Sequence, residues 1–331
     1  MQTFRWGIIG PGSIARDFTK DLRFIKEASH VVTAVLGHRK ETAEAFAAEF
    51  AIPAIFYELD PFVRQAAVDA VYIATPHTLH YEQALACLNA GIPVLCEKPI
   101  TINTDQLGTL IRAAQQRQAF LLEGMWIRFL PSIRQVLDLI AGHRIGDIVS
   151  VQANMSFKAP RDENNRYFNP DLGGGSLLDL GVYPVFLASL LLGKPDTIKA
   201  VGRLSDKGID EACAVLFGYR SGQYALLEST IITQTDLTAT IYGTKGYLKI
   251  LPNWNEKPEG IEVSVYDGHT TRVPLQWEGR GFQFEVAEMA RCIAQKQIYT
   301  PMLDHRFSLD IMRTMDAIKE QINVKYEDDQ K

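Results

Sequence analysis

The stretch WGIIGPGSIARDF (residues 6–18) joins an apolar run to a helical one across two glycines set one residue apart. Gly10, Gly12 and Ala15 spell G-x-G-x-x-A at the first junction between a predicted strand and a predicted helix. Gly10 permits the tight turn, Gly12 lets a diphosphate approach the backbone, and Ala15 lets the helix lie close to the sheet. Ser13 and Ile14 open that helix, whose free N–H groups and positive dipole end face an anion. Glycines at strand ends are also ordinary turns, and only the βαβ setting tips the reading toward a dinucleotide.

That setting extends through residue 123. VVTAVLG, DAVYIAT, PVLCEKP and FLLEGM read as buried strands, and KETAEAFAAEF, LHYEQALACLNAG and DQLGTLIRAAQQRQ as the helices between them. Alternation of this kind predicts right-handed crossovers and a doubly wound parallel sheet. The end of the second strand selects the cofactor. An acid there would suit the ribose of NAD, but the sequence is LGHRK, with no acid before Glu41. His38, Arg39 and Lys40 can receive a 2′-phosphate, so NADP is expected over NAD, the plain alternative being a solvated basic loop.

The rhythm changes over residues 124–331. DIVSVQANMSF, DEACAVLFGY, GQYALLESTI, TATIYG, GYLKIL and IEVSVYDG alternate as half-exposed strands, and YRSGQ and GTKGY carry hairpin-turn chemistry. They predict a large, open, mostly antiparallel sheet with helices on one face, the other face being solvated or paired with a second subunit. The chain is thus α/β, with a nucleotide-binding Rossmann domain (1–123) and a substrate-binding and dimerisation domain (124–331).

The totals narrow the partners. With 34 basic against 39 acidic residues the net charge is −5, no footprint for nucleic acid or an anionic membrane. No cleavable signal pattern opens the chain, and no uninterrupted apolar run approaches the ~20 residues of a bilayer span. Four cysteines without CxxC pairing read as reduced thiols of a cytoplasmic protein. His77 and His80 have i, i+3 spacing, but no further ligand completes a metal set.

Glu97-Lys98-Pro99 in VLCEKPIT, preceded by ATPHTLH (74–80), opens a wider likeness. Together with EGMWIRFLP (123–131), RYFNPDLGGGSLLDLGVYP (166–184) and HRFSLDIMRTMDAIKEQI (305–322), it resembles the glucose–fructose oxidoreductase/inositol dehydrogenase/MocA family. Within the family it is most similar to the branch of dimeric dihydrodiol dehydrogenase and NADP-linked D-xylose dehydrogenase. The resemblance implies a cofactor lying across the first domain, a substrate between the two, and a homodimer joined through the open sheet faces. It implies that Lys98 stands near the nicotinamide and the substrate hydroxyl. Thr75, Pro76, His77 and His80 would line the nicotinamide end, Glu97 would meet the cofactor ribose, and Trp126 and Arg128 would touch cofactor and substrate. Asp179 and Tyr183 fall on the family's D-x-G-x-H segment, here DLGVY, with Tyr where many members have His.

Chemistry gives the same residues work. Oxidising a secondary alcohol needs a base for its proton while hydride leaves for the nicotinamide. A phenol with a pKa of ~10 serves at neutral pH only if a cation stabilises its phenolate, and Lys98 could do that for Tyr183. Equally, Lys98 could carry the proton while Tyr183 orients the substrate. Asp179 and Tyr183, at i and i+4, share a face if a helix runs through SLLDLGVYP, with Gly173–Gly175 letting it start close to a ligand and Pro184 kinking it. A core tyrosine on a capped helix is the plain alternative. Phe157, Trp254, Trp277 and Phe282 could add apolar walls. The function expected is hydride transfer between NADP and a sugar or cyclic trans-diol. Reversible redox or an epimerisation on a nicotinamide that stays bound, and a non-catalytic NADP-binding sensor, are the alternatives.

Overall fold

The structure, a computed structural model, describes residues 3–162 and 165–326. It divides into two compact units, one of Met1–Trp126 with Glu278–Leu309, the other of Ile127–Trp277 with Asp310–Lys331. The first boundary falls three residues from the expected one. The second was not foreseen, because the sequence assigns everything after residue 123 to one domain. The cause is Asp21, buried at the end of the first helix, whose carboxylate accepts the backbone N–H groups of Arg280, Gly281 and Phe282 at 2.8, 2.8 and 3.2 Å. Arg280 also pairs with Asp17, one turn earlier. A late stretch of chain is therefore capped by the glycine-motif helix and belongs with it.

In the first unit β1 (Thr3–Ile9), β2 (Ser29–Leu36), β3 (Ala54–Phe56), β4 (Ala70–Ile73), β5 (Val94–Glu97) and β6 (Leu121–Gly124) form a parallel sheet of order β3-β2-β1-β4-β5-β6. Its crossover helices are α1 (Ser13–Asp21), α2 (Lys40–Phe50), α3 (Leu59–Gln65), α4 (His77–Asn89) and α5 (Thr104–Arg117). The strand order reverses between β1 and β4, which opens a crevice at the carboxyl ends of those strands, where such sheets bind ligands. The α1 helix buries Ala15 and Phe18, and Phe18 stacks on Tyr72 of β4 at 3.8 Å and meets Trp6 edge-on at 5.3 Å. These rings fix the helix against the strand its motif follows.

The second unit opens with α6 (Pro131–Ala141) and holds a sheet of β7 (Ile148–Ser156), β8 (Thr197–Leu204), β9 (Asp210–Gly218), β10 (Tyr224–Thr230), β11 (Ala239–Gly243), β12 (Gly246–Ile250), β13 (Gly260–Val265) and β14 (Thr270–Pro274). Their order is β14-β13-β12-β11-β7-β10-β9-β8, and only the β7–β10 pair is parallel. Alternation sorts the faces: Val215, Phe217, Ala225 and Leu227 are buried, whereas Leu216 and Leu226 stay exposed. The buried side packs on α7 (Val182–Leu192), whose residues 182–189 are all buried. The remaining helices are α8 (Phe282–Ala294), in the first unit, and α9 (His305–Ile322). One stretch, Pro170–Leu192, interrupted by Asp171 and Asp179, has the length and composition to cross a membrane, yet 83% of its most apolar window is buried inside the fold.

Candidate functional site

On the first unit the predicted cofactor residues gather at the carboxyl ends of the parallel strands. Gly10 follows β1 with φ +89, and a Cβ there would lie 2.7 Å from Thr75 Cγ2 and 2.9 Å from the Ala74 backbone. Gly12 is the N-cap of α1 and has no side-chain acceptor for that helix's first N–H groups. A Cβ on Gly12 would meet nothing within 4 Å. The Gly12 N–H turns back to Gly10 O at 2.8 Å, and the opening N–H groups of Ser13 and Ile14 are left without a side-chain cap, which fits a dinucleotide diphosphate. His38 and Arg39 are exposed just after β2, with Arg39 at the N-cap of α2. Lys40 instead pairs with Glu44 at 3.8 Å.

The ends of β4 and β5 are tied together. Thr75 Oγ1 donates to Gln83 at 2.7 Å, and Pro76 caps α4. Fully buried His80 sets one ring nitrogen 2.9 Å from Thr75 O and the other 3.0 Å from Pro99 O. Carbonyls only accept, so the neutral ring donates to one of the two, and its tautomer decides which. The buried His77 ring packs edge-on against His80 at 5.7 Å. The Lys98–Pro99 peptide is cis, and the half-buried Lys98 donates its backbone N–H to Glu97 Oε2 at 3.3 Å. Glu97 Oε1 accepts the hydroxyl of Tyr72. Among the described residues, no group of three or more His, Cys, Asp or Glu is arranged to hold a metal ion.

Behind this edge lies a store of buried acids that sequence reasoning missed. Burial pushes up the carboxyls of Glu123 and Glu285 and the phenol of Tyr72, and the Glu97 charge adds to each shift. Glu123 accepts from Ser308 Oγ at 2.8 Å and Ile100 N at 3.3 Å, which pulls the other way. Each of these residues reads in sequence as an ordinary core or surface position. Trp126 is buried, with its ring 4.9 Å from Phe282. Its indole N–H meets no acceptor among the described residues. Phe282 itself is 2% exposed within the cluster of Phe18, Tyr72 and Trp126. Arg128 is half-buried in the 3₁₀ turn Trp126–Phe129.

On the second unit Asp179 and Tyr183 are brought into one helical segment. Leu177–Gly181 is a π turn running into α7, and Val182 N–H reaches back five residues to Leu177 O. Pro184 has no N–H to offer Leu180, and the ladder is widened into the π turn just before it. Both side chains are buried, Asp179 at 5% and Tyr183 at 7% exposure. Asp179 receives the guanidinium of Arg166 at 3.2 and 3.4 Å, a partner the sequence reading passed over although it stands in the same RYFNPDLGGGSLLDLGVYP segment. Arg166 lies over the Tyr167 ring at 4.2 Å, and Tyr167 faces the 39%-exposed Phe157 at 5.3 Å. Trp254 is fully buried and donates to Asn154 O at 2.9 Å, which makes it core, and Trp277 is half-buried.

Comparison with known proteins agrees with both halves. Residues 4–125 match the model of an oxidoreductase family with an NAD-binding Rossmann fold, and residues 133–249 match the GFO/IDH/MocA C-terminal domain. Trans-1,2-dihydrobenzene-1,2-diol dehydrogenase of Xenopus laevis is 31% identical over 97% of this chain and 99% of its own. The Sus scrofa enzyme of that name is 32% identical, covering 98% of each. The crystal structure of KijD10, a 3-ketoreductase from Actinomadura kijaniata complexed with NADP and TDP-benzene, matches with TM-score 0.86 and 27% identity over 98% of this chain and 99% of that one. The aldose-aldose oxidoreductase of Caulobacter crescentus, at TM-score 0.88 and 22% identity over 97% and 98%, shares the fold.

Proposed function

Since the chain belongs to the GFO/IDH/MocA oxidoreductase family, we propose that it is an NADP-dependent dehydrogenase passing hydride between nicotinamide and a secondary hydroxyl of a sugar or cyclic trans-diol. The observation that carries this is the end-to-end likeness to enzymes named as trans-dihydrodiol dehydrogenases. A screen of aldoses, cyclitols and trans-dihydrodiols by NADPH absorbance tests it. Turnover of at least one is expected, and silence toward all three classes would return the protein to the less favoured sensor reading.

In this mechanism the N–H groups of Ser13 and Ile14 hold the diphosphate beyond the Gly10 turn, and Gly12, bare of a side chain, lets it approach. Thr75, Pro76, His77, His80, Glu97, Trp126 and Arg128 line the nicotinamide end. Bound nicotinamide supplies the hydride acceptor or donor. Lys98 polarises the substrate oxygen with its ammonium, and Tyr183 takes the hydroxyl proton in oxidation and returns it in reduction. Asp179, neutralised by Arg166, holds the substrate side of the same helix without adding net charge, which suits an uncharged polyol. Phe157 offers an apolar face to the ring C–H groups, and Phe282 acts from behind Trp126.

His38 and Arg39 take the 2′-phosphate. Arg39→Ala should therefore weaken NADP far more than NAD, since one charge-assisted contact is worth ~1.5–3 kcal/mol, about tenfold or more in affinity. Fluorescence titration with both cofactors checks this, and equal weakening would sink the assignment.

The assembly we propose is a cytoplasmic homodimer. Four free, buried cysteines suit a reducing compartment. The open face of the second sheet leaves Val201, Leu216 and Leu226 at 72, 43 and 45% exposure, beside Lys199, Lys249 and Glu228. An apolar strip edged by both charge signs fits a second copy of itself. Light scattering should give twice the chain mass of 37.1 kDa. A monomer mass at micromolar concentration would count against the pairing.

A further inference from the structure

The helical segment that carries Asp179 and Tyr183 begins without a cap of its own. Ser176 stands at its N-cap with αR angles (φ −76, ψ −34), and its hydroxyl accepts none of the segment's N–H groups. Ser176 is fully buried, so water cannot stand in for the missing acceptor. The acceptor comes from 34 residues further along the chain. Asp210, at the start of β9 and 0% exposed, takes the Ser176 hydroxyl at 2.7 Å and the Leu177 N–H at 2.6 Å on one carboxylate oxygen. The serine hydroxyl also lies 3.1 Å from Ser229 Oγ on β10.

The glycine run makes this approach possible. Gly175 sits at φ +119, and a Cβ on it would fall 2.4 Å from Asp210 Oδ1. At Gly174 a Cβ would fall within 2.7–2.8 Å of the carbonyl oxygens of Arg166, Tyr167 and Asn169. The Gly174 carbonyl in turn accepts the Tyr326 hydroxyl at 2.7 Å. The space these glycines open is thus filled by the protein's own groups, where the sequence pointed to a ligand. One anchor joins β9, β10, the loop bearing Arg166, and the start of the Tyr183 segment.

We infer that Asp210 is a positioning residue, a remote cap that sets where the Tyr183 segment starts and so where the tyrosine hydroxyl stands. The inference rests on the acid–base reading of Tyr183 given above. An anion suits this place, because a helix start carries positive partial charge. Burial raises the Asp210 carboxyl to about 6, against the pull of the Ser176 and Leu177 donors.

Asp210→Asn keeps the shape and removes the charge. In the full-length protein it should lower kcat at least tenfold with substrate KM little changed. NADPH should still bind one per chain at wild-type affinity, which excludes a loss of folded molecules. Hydrogen exchange should quicken in a peptide covering residues 176–183 and stay unchanged in peptides of β1 and α1. Wild-type kcat, or unaltered exchange at 176–183, would overturn the proposal. Tyr183→Phe is measured alongside. Full turnover by that variant defeats the reading of Tyr183 and leaves the exchange result standing, whereas an impaired Tyr183→Phe with an unaltered Asp210→Asn defeats the cap alone.

Discussion

Tyr183→Phe should lower kcat by ~10²–10⁴ while NADP binding survives. The substitution removes one oxygen and keeps the ring that fills the buried position on α7. Were the residue only packing, the change would cost about 1 kcal/mol through one lost hydrogen bond and would leave turnover near wild type. The two outcomes differ by orders of magnitude, and steady-state kinetics on a confirmed substrate decides between them. Near-wild-type turnover would move the proton to Lys98.

Lys98→Met should damage kcat by a comparable factor, because it removes the ammonium that polarises the substrate oxygen and favours a phenolate. The double variant should be little worse than the poorer single one, since groups acting as a unit are non-additive. A multiplicative loss would mean that the two residues work separately. The pH profile adds a check with a definite sign. Oxidation should rise with pH through one inflection as the base loses its proton, and Lys98→Met should move that inflection upward. An unmoved inflection would take the lysine charge out of the proton step.

Much of this was legible in the chain, and the omissions have physical causes. The buried strands of the parallel sheet announce themselves because both faces need apolar side chains. The strands the sequence did not reveal are β3, β8 and β14, and each lies at an edge of its sheet. None of the three holds a buried residue, whereas the other edge strand of the parallel sheet, β6, is buried throughout and could be read. The glycine motif, Lys98, Asp179 and Tyr183 could be picked out because their spacing is local. Arg166 and Asp210 could not, because what matters is a side chain that meets them across 13 and 34 residues. The glycines at 174 and 175 were the visible trace of that crowding, read as room for a ligand. The π turn was hidden for a similar reason: Pro184 predicts a disturbed ladder and does not say that it takes the form of a widened turn.

The clasp of Asp21 on the N–H groups of residues 280–282 bears on how the protein comes into being on the ribosome. The nucleotide-binding unit has all six of its strands once residue 124 has emerged, yet its last helical layer arrives only after the 151 residues of Ile127–Trp277 have been made. At roughly 5–20 residues per second that is a wait on the order of ten seconds. During it the Asp21 carboxylate lacks its three backbone donors, and the rings of Phe18, Tyr72 and Trp126 lack Phe282. The unit begun first thus waits, with its six strands already made, for residues 278–309, and the unit begun second waits longer still, for residues 310–331.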